Sequence, residues 1–104
     1  FTVGLLCATG DVALQLNARF AMGPVLGCKA RCGGVWGPEE LCGRPPLSPG
    51  GTVEIIISAQ LHGYQVAVNG QHMLVFLHRL PLPTVQNLEV TGDVTLTCIT
   101  FTGP

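Results

Sequence analysis

Charge is scarce in this chain: of 104 residues, five are Lys or Arg and six are Asp or Glu. With a formal net charge of -1 and its cations scattered, the sequence has no basic patch to neutralise phosphates. Nucleic acid is therefore not an expected partner. No apolar run approaches the length of a membrane span, so membrane insertion is not expected. The first residues also lack the charged, hydrophobic and small-residue succession of a signal peptide. Enzyme signatures are missing as well. There is no G-x-S-x-G elbow, no H-E-x-x-H, no P-loop and no pair of carboxylates placed for acid–base work, so neither catalysis nor a cofactor is expected.

Paired CxxC spacing, which would argue for zinc, is also absent. Cys7, Cys28, Cys32, Cys42 and Cys98 are an odd number, so they cannot all pair within one chain, and reduced thiols are the expected state. His62, His72 and His78 are dispersed over turns and strand ends, and are expected to be ordinary imidazoles rather than ligands or bases.

What is plentiful is apolar surface, at 47% of residues, enough for one core in a single domain over residues 1–104. No stretch has the 3.6-residue period of an amphipathic helix. Short β-type runs alternate with turn signals instead. Phe1 to Cys7 and Val12 to Phe20 read as strands joined at Thr9-Gly10-Asp11. Val25 to Ala30 lies between Gly23-Pro24 and the Gly33-Gly34 turn. Leu41 to Gly51, with three prolines and two terminal glycines, reads as a loop. Val53 to Ser58 is β-branched, and Tyr64 to Val68 runs through Asn69-Gly70 into His72 to Leu77, a strong hairpin signal. Asn87 to Val90 and Val94 to Phe101 complete the set around Thr91-Gly92-Asp93. Many short strands with short connections predict an all-β fold, two antiparallel sheets packed as a sandwich or jelly roll.

Simple alternation along the second strand puts Val12, Leu14 and Leu16 on one face and Ala13, Gln15, Asn17 and Arg19 on the other. Gln15, Asn17 and Arg19 thus form a ladder of amide and guanidinium groups suited to a rigid, hydroxyl-rich ligand, or else a solvated polar face. Trp36, the sole tryptophan, opens the segment Trp36-Gly37-Pro38-Glu39-Glu40. An indole face packs on the C–H surface of a pyranose, and a nearby carboxylate accepts hydrogen bonds from hydroxyls.

These residues resemble the galectin family over nearly the whole chain. Asp11-Val12-Ala13-Leu14-Gln15-Leu16-Asn17-Ala18-Arg19-Phe20 is similar to one family signature and Trp36 to Glu40 to a second. Val66 to His72, His78 to Pro81 and Leu88 to Val94 follow in the family's order. The resemblance implies a jelly-roll carbohydrate-recognition domain that binds β-galactoside-containing glycans and is no enzyme. It also implies further strands upstream of Phe1, a homodimer or a second lectin domain as the source of multivalency, and a cytoplasmic location with leaderless secretion as the route outside.

Carried over by position, Asn17 and Arg19 match the residues that hydrogen-bond galactose, Trp36 the stacking residue, and Glu39 the acid that contacts hydroxyls and orients an arginine. Gln15 stands where the family has histidine, Lys29 where it has asparagine, and Leu41 where it has arginine; Arg44 lies three residues too far on to replace it. The carbohydrate-binding candidates are thus Gln15, Asn17, Arg19, Lys29, Trp36 and Glu39. The three departures imply weakened or altered galactoside recognition, and the competing reading is a galectin-fold interaction protein that has lost sugar binding.

Overall fold

Residues 1–98 and Thr100 are described by a computed structural model of the chain. Among the described residues nine strands form two antiparallel sheets: β1 (Thr2–Cys7), β2 (Val12–Arg19), β3 (Val25–Cys32), β4 (Val35–Trp36), β5 (Glu40–Gly43), β6 (Ile55–Ala59), β7 (Gly63–Val68), β8 (Gln71–Leu77) and β9 (Val85–Thr91). One sheet runs β4-β3-β2-β1-β9, with β5 also paired to β3; the other is the meander β6-β7-β8. A 3-10 turn at Leu82–Thr84 is the only helical element among the described residues.

The sheets pack because each presents an alternating apolar row to the other. From the larger sheet come Leu14, Leu16 and Ala18 of β2 and Leu26, Cys28 and Ala30 of β3. Opposite them lie Tyr64, Val66 and Val68 of β7 and Phe76 of β8. All ten are at most 3% exposed, so the core is one continuous layer between the sheets. The turns use the residues expected of them. Asn69 and Gly70 both take positive φ in the β7–β8 hairpin, at 48° and 80°, and Gly33 and Gly34 do so between β3 and β4, at 61° and 80°.

Four details differ from the linear reading. The pairing of β2 slips on both sides, Leu5 to Leu6 of β1 facing Leu14 and then Val12, which is the signature of a bulge at Ala13. The bulge reverses the alternation, so Val12 pairs with Arg31 and shares the face of Gln15 rather than that of Leu14. Leu41 to Gly43, expected in a loop, belong to β5, because the outer edge of β3 offers them ladder hydrogen bonds. The next strand begins at Ile55 rather than Val53. The strand expected over Val94 to Phe101 is not formed in its described part: 94–98 are exposed and pair with no strand among the described residues. Ile99 and Phe101 lie outside the described residues. A β-branched run supplies propensity, but a strand needs a partner edge.

Candidate functional site

The face of the larger sheet turned away from the core is laid out in rows, because cross-strand partners share a face. Thr2, Asn17, Gly27 and Leu41 form one row. Gly4, Gln15 and Lys29 form the next, and Leu6, Val12, Arg31 and Trp36 the third. Arg19 stands at the other end, beside Val25. All six candidate residues therefore stand on one sheet face, the candidate groove, five through strand register and Glu39 through the break between β4 and β5.

That break has a local cause. Both short strands pair with the outer edge of β3, β4 at Arg31–Cys32 and β5 at Val25–Cys28. Gly37-Pro38-Glu39 interrupts them, since proline has no N–H for a ladder. The interruption frees Glu39 to turn over the sheet, where its Oε1 accepts a hydrogen bond of 2.9 Å from Arg19 Nη2. Both side chains are partly exposed, at 48% and 27%, so the pair contributes at most about 1 kcal/mol to stability. What it does is hold guanidinium and carboxylate side by side, a mixed donor and acceptor edge for vicinal hydroxyls.

Gly27 makes that pair sterically possible, and linear reasoning passed over it. A Cβ at this position would lie 2.5 Å from Glu39 Oε2 and 3.1 Å from Arg19 Nη2. A glycine inside an otherwise regular strand was the available signal, because such positions mark close approach of another group.

Two further contacts shape the groove wall. Arg79 donates from Nη1 to the Pro38 carbonyl at 2.7 Å and from Nη2 to Glu40 at 2.9 Å, while its guanidinium lies 4.5 Å from the Phe76 ring centroid. It ties the interruption between β4 and β5 to the core. Asp11 accepts hydrogen bonds from the Gly33 and Gly34 amides at 2.9 and 3.0 Å. Those amides, Gly33 first, hold its carboxyl below the ordinary carboxylate range, with Arg31 adding to the effect. The hairpin that carries Trp36 is thus anchored to the start of β2.

Trp36 is 41% exposed, and Lys29 Nζ lies 4.7 Å from its ring centroid, a cation–π contact. Asn17 donates from Nδ2 to Thr2 Oγ1 at 2.9 Å and, less closely, to the Phe1 carbonyl at 3.3 Å. Leu41, 63% exposed, extends the Gly27 row with an apolar side chain. Beneath the face, the Cys28 thiol is pushed up to about 12 by burial and then by Glu40 and Glu39, which leaves it a packing group rather than a nucleophile. The histidines lie elsewhere: His78 packs edge-on against Tyr64 at 4.7 Å, its Nε2 2.8 Å from the Gln60 carbonyl. No cluster of three or more His, Cys, Asp or Glu suited to a metal occurs among the described residues.

A profile of the galactoside-binding lectin family matches residues 1–101. The chain belongs to the galectins. It is 37% identical to human galectin-4 over 93 residues, covering 89% of this chain and 29% of that protein. It is 33% identical to a 32 kDa beta-galactoside-binding lectin of Haemonchus contortus over 99 residues, or 95% of this chain and 35% of that one. The galectin sequence here therefore spans about a third of the length of these relatives. Among solved structures it is similar to a tetrameric galectin of the sponge Cinachyrella, with a TM-score of 0.74 and 25% identity over 88% of this chain and 70% of that one. The likeness agrees with the all-β sandwich, and no helix among the described residues is long and apolar enough to cross a membrane.

Proposed function

We propose that this galectin domain, one carbohydrate-recognition unit over residues 1–104, binds galactose-containing glycans weakly and with altered specificity. The observation that carries the reading is the Arg19–Glu39 pair held over Gly27 on the same face as Asn17 and Trp36. In this reading the galactose ring stacks on Trp36. Its hydroxyls bond to Asn17, Arg19 and Glu39, with Gln15 as a mobile donor and acceptor. Lys29 donates but cannot accept, and Leu41 does neither.

Weakness follows from counting groups. Two or three missing hydrogen bonds at about 1 kcal/mol each lower affinity by about ten- to several-hundred-fold. A ring stacking on Trp36 must also displace Lys29, a contact of about 0.5–1 kcal/mol at an exposed site. No catalytic role is proposed. Glycans or glycoproteins are the proposed partners, with crosslinking through a homodimer or a second lectin domain. The proposed location is cytoplasmic, with export giving access to surface glycans.

Calorimetric titration with lactose tests the reading against a triple variant carrying Gln15→His, Lys29→Asn and Leu41→Arg. Weak binding by the natural chain and tighter binding by the variant are expected. Ordinary galectin affinity in the natural chain would refute the impairment. Binding only by the variant favours the galectin-fold interaction protein that has lost its sugar, and binding by neither overturns the assignment of the site.

A further inference from the structure

Lys29 is placed to do more than weaken a neutral ligand. It stands on β3 beside Gln15 of β2, one row from Trp36 on the same sheet face, with its ammonium 4.7 Å from the indole centroid. The surrounding carboxylates are engaged elsewhere. Glu39 pairs with Arg19, Glu40 with Arg79, and Asp11 with two backbone amides. Lys29 has no carboxylate within 4 Å among the described residues. Arg31 lies two residues along on the same face, so Arg19, Lys29 and Arg31 put three of the chain's five basic residues on this surface. Glu89, at the far end of the Lys29 row on β9, is separated from Lys29 by both Gly4 and Gln15.

Resting on the lectin reading above, we propose that the site selects galactosides carrying an anionic substituent, a sulfate ester or the carboxylate of a sialic acid, with Lys29 as the specificity-determining residue. A neutral galactoside must move the ammonium off the indole and offers it no charge in return. An anionic substituent near the stacked ring draws the same ammonium away into an ion pair, so the Trp36 face opens as the charge is met. Arg31 adds a second cation one row along the same face, with the Asp11 carboxylate near it, so Lys29 carries the selectivity. The step is one of binding alone, and no bond is made or broken.

The intact chain is titrated with lactose, sulfated lactose and sialylated lactose at low and near-physiological salt, following the fluorescence of Trp36, the only tryptophan. At least one anionic sugar is expected to bind about tenfold more tightly than lactose, with the advantage shrinking as salt rises. An advantage for the sulfated sugar alone assigns a sulfate ester, and one for both assigns anionic galactosides in general. Lys29→Asn is expected to abolish the preference while tightening lactose, and Lys29→Arg to keep it, with circular dichroism confirming that both fold. Equal binding of all three sugars overturns the proposal while leaving the lectin reading intact. A preference that survives Lys29→Asn overturns the assignment to Lys29. Binding of none overturns the lectin reading and this inference with it.

Discussion

Gly27 is the residue at which a single atom has the largest consequence for the groove. A methyl group there would have to displace Glu39 or Arg19, because its carbon would sit within 2.5 Å of the carboxylate. In Gly27→Ala the Arg19–Glu39 pair is expected to separate, lowering affinity for any galactoside by at least about tenfold, since one or two oriented hydrogen bonds are lost. Thermal unfolding should change far less, because that pair is partly exposed. Titration alongside a melting curve separates the two effects; a variant that binds as the natural chain does would show that the pair is dispensable. Asp11 gives a pH signature at the same scale. Its carboxyl titrates below the ordinary value of 3.8 because amides of Gly33 and Gly34 bond its charged form. Its folded pKa is depressed, so the stabilisation is present above the unfolded value and is lost as pH falls through the folded one. Compared with Asp11→Asn, the natural chain should melt at a higher temperature near pH 6, and the difference should shrink steadily below about pH 4. A difference that does not vary with pH would exclude this role for the carboxylate.

The elements that build the groove wall are short, and their position depends on a neighbour from the other sheet's end. β4 and β5 have two and four residues, too little ladder to fix the Trp36–Glu40 segment unaided. Arg79, just beyond β8, binds the Pro38 carbonyl and Glu40 and covers Phe76. Arg79→Ala is expected to lower stability by about 1–3 kcal/mol, through lost hydrogen bonds and packing, and to weaken sugar binding although Arg79 lies outside the rows of the groove. Denaturant unfolding and titration of one preparation check both halves, and unchanged affinity would show that the wall is held without Arg79. Much of this element pattern was legible in the chain: strands around Val25 to Ala30 and Tyr64 to Leu77 follow from short, largely apolar runs bounded by Gly, Pro and Asn-Gly. The reversal of Val12 was not, because a bulge is a property of two paired strands and leaves no mark on simple alternation. Nor was β5, whose residues pair only because β3 presents an edge to them.

For the molecule as a whole, one layer of buried side chains joins the two sheets, so a cavity in that layer is felt by both. Leu16 is fully buried within it. Leu16→Ala is expected to cost about 2–5 kcal/mol, read as a lower midpoint in urea. A loss below about 1 kcal/mol would contradict a tightly packed intersheet layer. The thiols report the same packing. Cys7 and Cys28 are buried and Cys98 is exposed, so alkylation of the native chain should modify Cys98 first and Cys28 only on unfolding. Peptide mapping after a short exposure measures the order; early labelling of Cys28 would mean that the core opens readily.

By itself the sequence determined the fold class, because alternation, turn chemistry and five ordered motif blocks all act locally along the chain. It also supplied the candidate groups of the proposed site, since Asn17, Arg19, Trp36 and Glu39, like the departures Gln15, Lys29 and Leu41, are identities rather than geometries. Only the tertiary structure decided how those groups meet: Gly27 lies beneath the Arg19–Glu39 pair, Arg79 holds the interruption that carries Glu39, and Lys29 covers the indole. Those relations join residues from different strands, and the separations between strands are set by register and packing, which a linear pattern does not contain.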